Sequence, residues 1–285
     1  MQTIASARAW ATDELQRSCV ESFMLSSDLL LGFVIGRDRV YILSHSEEAL
    51  PDDAWLLYRH YVLRHAKGEP LQYLTGVREF YGLDFRVTPS VLIPRPETEI
   101  LVEAAVKTIR ENLGPDMKYV DVGTGSGCIV VSIARMIPGS FGYATDISGM
   151  AIEMAKNNAA RHHVLEQIGF IQADLLSCFH CKPIFDFILS NPPYVALEEC
   201  DTLCSCVKDY EPHLALFGGR DGLNVFRRLA PAVYLRLKPG GFLMLEIGAG
   251  QLRNVRGLME AEGLFTEEIL EDLQGIPRCL IFRKK

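Results

Sequence analysis

The sequence predicts a doubly wound α/β sheet preceded by a small helical unit, on three observations. Short buried-strand runs alternate with helical stretches after residue 113, a glycine-rich turn follows the first of those strands, and the first quarter of the chain carries helical spacing alone.

From residue 1 to about Leu74, apolar residues recur at mostly three to five positions, through Trp10, Leu15, Val20, Phe23 and Met24. No strand alternation competes. Ser26, Ser27 and Asp28 stand before Leu29, Leu30, Leu31 and Phe33 as a capping cluster would, and Gly36 follows as a stop, which predicts a second helix. Pro51, Asp52 and Asp53 open a longer helix through Trp55, Leu56, Tyr58, Tyr61, Val62 and Leu63, ending near Gly68 and Pro70. Residues 76–96 carry Phe80, Tyr81, Leu83, Phe85, Val87, Val91 and Ile93 between Gly82, Pro89, Pro94 and Pro96, and read as a hairpin linker. A helix is predicted from Glu97 to Leu113. Strands are then predicted at Tyr119–Val122, Phe141–Thr145, Gly169–Gln172, Phe185–Ser190 and Phe242–Ile247, with a final pair near Glu267–Leu270 and Cys279–Phe282. Lys238-Pro239-Gly240-Gly241 reads as a turn before a strand. The expected organisation is a helical domain at 1–75, the linker at 76–96 and the α/β domain at 97–285.

Composition narrows the function classes. The 285 residues are 48% hydrophobic and 23% charged, an ordinary balance for a folded globular chain. A formal charge of -7 lacks the basic excess that phosphate backbones attract, so no stable nucleic-acid binding is expected. Arg8, Asp13, Glu14 and Arg17 interrupt any signal-peptide core, and the longest near-continuous apolar run, Leu29 to Ile35, is far short of the roughly 20 residues a bilayer span takes. A cytoplasmic protein with no membrane association is expected. Eight cysteines fit thiols in a reducing compartment. Cys178, Cys181, Cys200, Cys204 and Cys206 cluster around His180, but they do not form the two tight pairs of a structural zinc site, and no metal is assigned.

Asp121-Val122-Gly123-Thr124-Gly125-Ser126-Gly127 follows a predicted strand and leads into a helix at Cys128 to Met136. Glycines let the backbone turn sharply and let a ligand lie against bare amides at the helix N-terminus. The third glycine of a dinucleotide fingerprint is missing: Cys128 and Val130 stand where it would fall, and no Gly-Lys-Ser or Gly-Lys-Thr follows to make a P-loop. Asp146 ends the next strand, where a carboxylate can accept from both hydroxyls of a ribose, and Asp174 follows the third strand within reach of an adenine amino group. Taken singly, such acids also serve as caps and turn residues.

Phe185 to Ser190 runs straight into Asn191-Pro192-Pro193-Tyr194. Two prolines fix φ and remove two backbone donors, leaving the Pro192 carbonyl free as an acceptor beside the side-chain carbonyl of Asn191. Two such acceptors can hold both hydrogens of a planar NH2 group while Tyr194 packs on its face. An amide or aromatic amine is a poor nucleophile because its lone pair is delocalised. Orienting it against an electrophilic methyl removes entropy from the barrier, and fixed dipoles stabilise the charge that gathers on nitrogen.

On these motifs the chain resembles the bacterial release factor glutamine methyltransferases, within the S-adenosylmethionine-dependent, Rossmann-like methyltransferases. The resemblance runs nearly end to end. It includes Glu69 to Gly76, Phe80-Tyr81-Gly82, Ile93-Pro94-Arg95-Pro96-Glu97-Thr98-Glu99, Tyr210 to Gly219 and Asp221-Gly222-Leu223. It implies methylation of the side-chain amide nitrogen of glutamine in the Gly-Gly-Gln motif of class 1 peptide chain release factors, with S-adenosyl-L-methionine as donor and S-adenosyl-L-homocysteine as product. By the same resemblance Gly123, Thr124, Gly125, Ser126 and Gly127 contact the methionyl and ribose parts, Asp146 the ribose, and Asp174 with Leu175 the adenine region. Asn191, Pro192, Pro193 and Tyr194 hold the glutamine, with Asn191 also facing the donor. Leu175 departs from the aromatic residue that some members place there. The helical domain is implied to dock the release factor, and the enzyme is expected to act as a monomer. Arg95 and Glu97 either order the rim of the acceptor pocket or form an exposed ion pair and helix start. A rival reading from the residues is an amino-methyltransferase acting on a base in DNA or RNA, since an exocyclic base amine fits the same acceptors. Such an enzyme should carry a basic track, which this acidic chain lacks.

Overall fold

The computed structural model describes residues 2–113 and 117–285; Met1 and residues 114–116, which the predicted spans 1–75 and 97–285 include, lie outside the described residues. The chain divides into two units, Met1–Val77 with Cys204–Tyr210, and Arg78–Leu203 with Glu211–Lys285.

The first unit runs β1 (Gln2–Thr3), α1 (Ile4–Arg17), α2 (Phe23–Ile35), α3 (Arg39–Ser44), β2 (Ala49–Leu50), α4 (Asp52–Ala66) and α5 (Leu71–Thr75). Thr3 and Ser6 close a reciprocal capping box at the start of α1. Ile4, Ala7, Ala11 and Leu15 fall on one face of α1 and pack with Leu30, Leu31, Ile42, Tyr58 and Val62. The predicted capping cluster is corrected here. α2 starts at Phe23, so Ser26, Ser27 and Asp28 lie inside it and are buried. Ser27 shares a 2.8 Å hydrogen bond with the Tyr58 hydroxyl, and Asp28 is held by Arg8 and Arg39 at 2.7 and 2.9 Å. Buried polar groups need partners, and these residues find theirs across the bundle rather than at a helix end.

The second unit continues with β3 (Val77–Phe80) and β4 (Leu83–Arg86), a two-stranded hairpin, then α6 (Thr98–Thr108), β5 (Lys118–Val122), α7 (Cys128–Met136), β6 (Phe141–Asp146), α8 (Gly149–Arg161), β7 (Ile168–Gln172) and β8 (Phe185–Ser190). After α9 (Ser205–Lys208), which belongs to the first unit, come α10 (His213–Leu216), α11 (Asn224–Arg236), β9 (Leu237–Glu246), α12 (Leu252–Ala261), β10 (Leu264–Glu271) and β11 (Pro277–Lys284). Seven strands form one sheet in the order β10-β11-β9-β8-β5-β6-β7. The pairs among β9, β8, β5, β6 and β7 are parallel, and β11 joins β9 and β10 antiparallel.

Alternate residues of the strands feed two cores. Tyr119, Phe187, Leu189 and Met244 pack with α6 and α7, while Val120, Val122, Ile188 and Leu245 pack with α11 and α12 on the other face. This is the doubly wound sheet the sequence predicts. One boundary differs: Lys238 to Gly241 belong to β9 rather than to a turn. The register jumps from Phe185↔Leu237 to Phe187↔Phe242, so Lys238 to Gly241 bulge out of the pairing with β8 while remaining within the span of β9.

Candidate functional site

From β5 the chain winds through β6 to β7 on one side, and β8 then takes the other flank of β5. That reversal leaves a crevice at the carboxyl ends of β5 and β8, where open α/β sheets bind ligands. Val122 pairs with Ser190, so both strands end level, one into Gly123 and the other into Asn191. A cavity of about 450 Å³ opens there, within the roughly 300–1,000 Å³ typical of small-molecule sites.

Gly123, Thr124, Gly125 and Ser126 line one wall. Of the amides expected to be bare, three are already bonded to backbone carbonyls. The Gly123 and Thr124 N–H groups both donate to the Thr145 carbonyl, at 2.8 and 2.9 Å, and that of Gly127 donates to the Thr124 carbonyl at 2.8 Å. The first two donors tie the turn to β6 and the third closes the turn on itself, since buried N–H groups must be paired. Gly127, at φ +81°, sits behind the wall: a Cβ there would lie 3.0 Å from that of Ala155 on α8, so glycine lets the two helices close up. Asp121 is fully buried and accepts the Thr124 hydroxyl at 2.6 Å; burial pushes its carboxyl up to about 7.

Asp146 also lines the cavity and accepts the Gly125 and Ser148 N–H groups at 2.9 Å, one on each oxygen. Burial raises its pKa against those bonds. Each oxygen keeps a lone pair for a ligand hydroxyl. Asp174 and Leu175 line the far end, where Asp174 is paired with Arg228 of α11 and Leu175 holds a left-handed φ of +51°.

Asn191 and Pro193 also line the cavity; Pro192 is buried and, with Tyr194, stands outside the lining. Rather than presenting its ring to the cavity, Tyr194 packs on the core beneath and turns its hydroxyl toward Glu246, at 3.4 Å. Its carbonyl accepts from Gln251 Nε2 at 2.9 Å. The segment Gly218 to Gly222 lies against this turn so closely that a Cβ on Gly218 would stand 2.5 Å from the carbonyl oxygens of both Pro193 and Gly222.

Several residues at the site had no role in the sequence reading. Thr98, at the start of α6, accepts from Asn191 Nδ2 at 3.1 Å and donates its own proton to Glu246 Oε2 at 2.6 Å. Glu211, buried, accepts from Arg95 Nη2 at 2.5 Å and from the Ile93 N–H at 3.3 Å, joining the linker to the late loop. Arg95 therefore both lines the cavity and forms an ion pair, and Glu97 takes the N-cap position of α6. The available signal was Glu246 itself, a charge closing the apolar run Phe242 to Leu245. Among the described residues no group of three or more His, Cys, Asp or Glu converges to hold a metal, and no helix is long and apolar enough to cross a membrane.

Residues 6–76 match the family model described as the PrmC N-terminal domain, and residues 97–212 that of the methyltransferase small domain. The chain is 42% identical to a release factor glutamine methyltransferase of Koribacter versatilis, over 99% of this chain and 99% of the relative. It is 37% identical to one of Bradyrhizobium diazoefficiens, over 99% and 95%. Among solved structures, the 16S rRNA N2 G1207 methyltransferase of T. thermophilus, in complex with AdoMet and guanosine, shares the fold at a TM-score of 0.53 and 19% identity, covering 73% of this chain and 50% of that one.

Proposed function

The chain belongs to the release factor glutamine methyltransferase family, and from that premise we propose that it methylates the side-chain amide nitrogen of the Gly-Gly-Gln glutamine in class 1 release factors, with S-adenosylmethionine as donor. The observation that carries this reading is one cavity lined both by the glycine turn and by Asn191 and Pro193.

The cavity suits the donor. Asp146 offers a lone pair on each oxygen to the ribose, Gly123 to Ser126 leave room for the methionyl part, and Ile147, Met150 and Leu214 supply apolar surface beside Asp174 for an adenine ring. When bound, S-adenosylmethionine supplies a methyl group made electrophilic by its sulfonium. Asn191 holds the incoming amide through its side-chain carbonyl, and the prolines keep a backbone carbonyl of the turn in place as second acceptor. These fixed acceptors align the nitrogen lone pair and stabilise the positive charge it gains on attack, after which its proton becomes acidic enough to leave. Tyr194 supports the turn from below. The helical N-terminal unit recognises the release factor: α2 leaves Leu25, Leu29 and Phe33 exposed at one-turn spacing, a stripe suited to an apolar partner surface. The enzyme works in the cytoplasm, as a monomer, with S-adenosylhomocysteine as product.

Purified release factor incubated with labelled donor should gain label, and replacing its Gly-Gly-Gln glutamine should abolish the signal. Label that persists on the altered factor, or that enters RNA instead, overturns the assignment.

A further inference from the structure

The carboxamide of Asn191 has two ends of opposite polarity, and the proposed chemistry works with only one of them facing the cavity. A carbonyl there accepts from the substrate NH2, whereas an NH2 there would oppose it, donor to donor. The surrounding bonds decide between them. A threonine hydroxyl has one proton, and Thr98 gives its proton to Glu246 Oε2 at 2.6 Å. Toward Asn191 the same hydroxyl can only accept, so Asn191 must turn its NH2 to Thr98, at 3.1 Å, and its carbonyl to the cavity. Thr98 and Glu246 are each only 2% exposed, leaving little water to substitute for either.

We propose that Thr98 and Glu246 are positioning residues, which fix the polarity of the Asn191 carboxamide through a two-bond relay with Glu246 ionised. The inference rests on the glutamine-methylation reading. Its reverse state is equally defined. A protonated Glu246 donates to Thr98, the Thr98 proton swings to Asn191, and the carboxamide turns over, presenting NH2 to NH2. Burial pushes the Glu246 carboxyl up to about 7, reinforced by Glu97 of α6 and opposed by Thr98, Tyr194 and Arg278 of β11; Cys128 of α7 and Cys279 of β11 also face it. Because the ionised form is the working one, turnover falls as pH drops through about 7.

The test compares the wild type with Thr98→Val, Thr98→Ser and Glu246→Gln, each in single-turnover methylation of release factor at saturating donor across pH 5.5 to 9. Thr98→Val keeps the shape and removes the hydroxyl; its rate above neutral pH should fall by up to about 100-fold, with donor affinity and the KM for release factor little changed. Thr98→Ser should restore most of the rate, and the acid limb should vanish in both Thr98→Val and Glu246→Gln. Wild-type speed in Thr98→Val, no rescue by Thr98→Ser, or an acid limb surviving in Glu246→Gln overturns the relay. If Thr98→Val fails to fold, the Glu246→Gln profile decides alone. A wild type that leaves release factor unlabelled sinks the glutamine reading together with the relay, whereas an active wild type matched by Thr98→Val sinks the relay only.

Discussion

Two turns leave adjacent parallel strands at the same level and solve opposite problems. The glycine turn after β5 removes side chains and ties its N–H groups back to Thr145 and Asp146, so it offers space and a carboxylate. The proline turn after β8 removes N–H groups and is braced by Gln251 on the Tyr194 carbonyl and by the Gly218 to Gly222 segment, so it holds Asn191 rigidly at the cavity. A binding wall needs room and a reacting wall needs fixed dipoles, and neighbouring strands supply one each.

That division can be broken. The largest expected effect is that of Asn191→Ala, which should slow methyl transfer by about 10²- to 10³-fold while the donor dissociation constant measured by calorimetry stays near that of the wild type. A parallel loss of donor binding would mean the proline turn also builds the binding wall. Gly218→Ala pushes a methyl against the Pro193 and Gly222 carbonyls, 2.5 Å away, and should cost about 1–3 kcal/mol of stability in thermal unfolding, with transfer impaired more than donor binding.

Gly127→Ala sharpens the contrast from the other side. Its φ of +81° and the 3.0 Å approach to Ala155 predict a loss of about 1–2 kcal/mol, weaker donor binding and an undiminished rate once the donor saturates. A slowed rate at saturation would couple the two turns. The smallest effect is that of Arg228→Ala, which frees Asp174 from a partly exposed ion pair and should change donor affinity by no more than about 1 kcal/mol in equilibrium titration.

The two turns differ in legibility as well. Strand alternation and turn composition are local, so the seven-stranded sheet, the glycine turn and the proline turn could be read from short windows of sequence. What each group bonds to is not local. Ser26, Ser27 and Asp28 have the composition of a cap, and only the packing of Arg8, Arg39 and Tyr58 around them reveals buried partners. The Gly123 and Thr124 amides of the glycine turn, expected bare, are taken by Thr145 of the next strand. Tyr194 looked like a ring for the substrate, yet its hydroxyl turns toward Glu246, 52 residues on. Lys238 to Gly241 carry turn residues and bulge out of the pairing inside β9, so the strand begins at Leu237, before a turn that composition alone places ahead of it.

The lengths of chain enclosed by these bonds differ sharply. Gly125 and Asp146, 21 residues apart, close the donor-side contact locally, while the Arg95–Glu211 and Thr98–Glu246 bonds enclose 116 and 148 residues. Loop closure is easier over the shorter stretch, and during synthesis the distant partners emerge last. A nascent chain can therefore anchor its ribose-side carboxylate well before its nitrogen-gripping corner acquires a direction, so the first contact on the donor side precedes every bond that orients the acceptor.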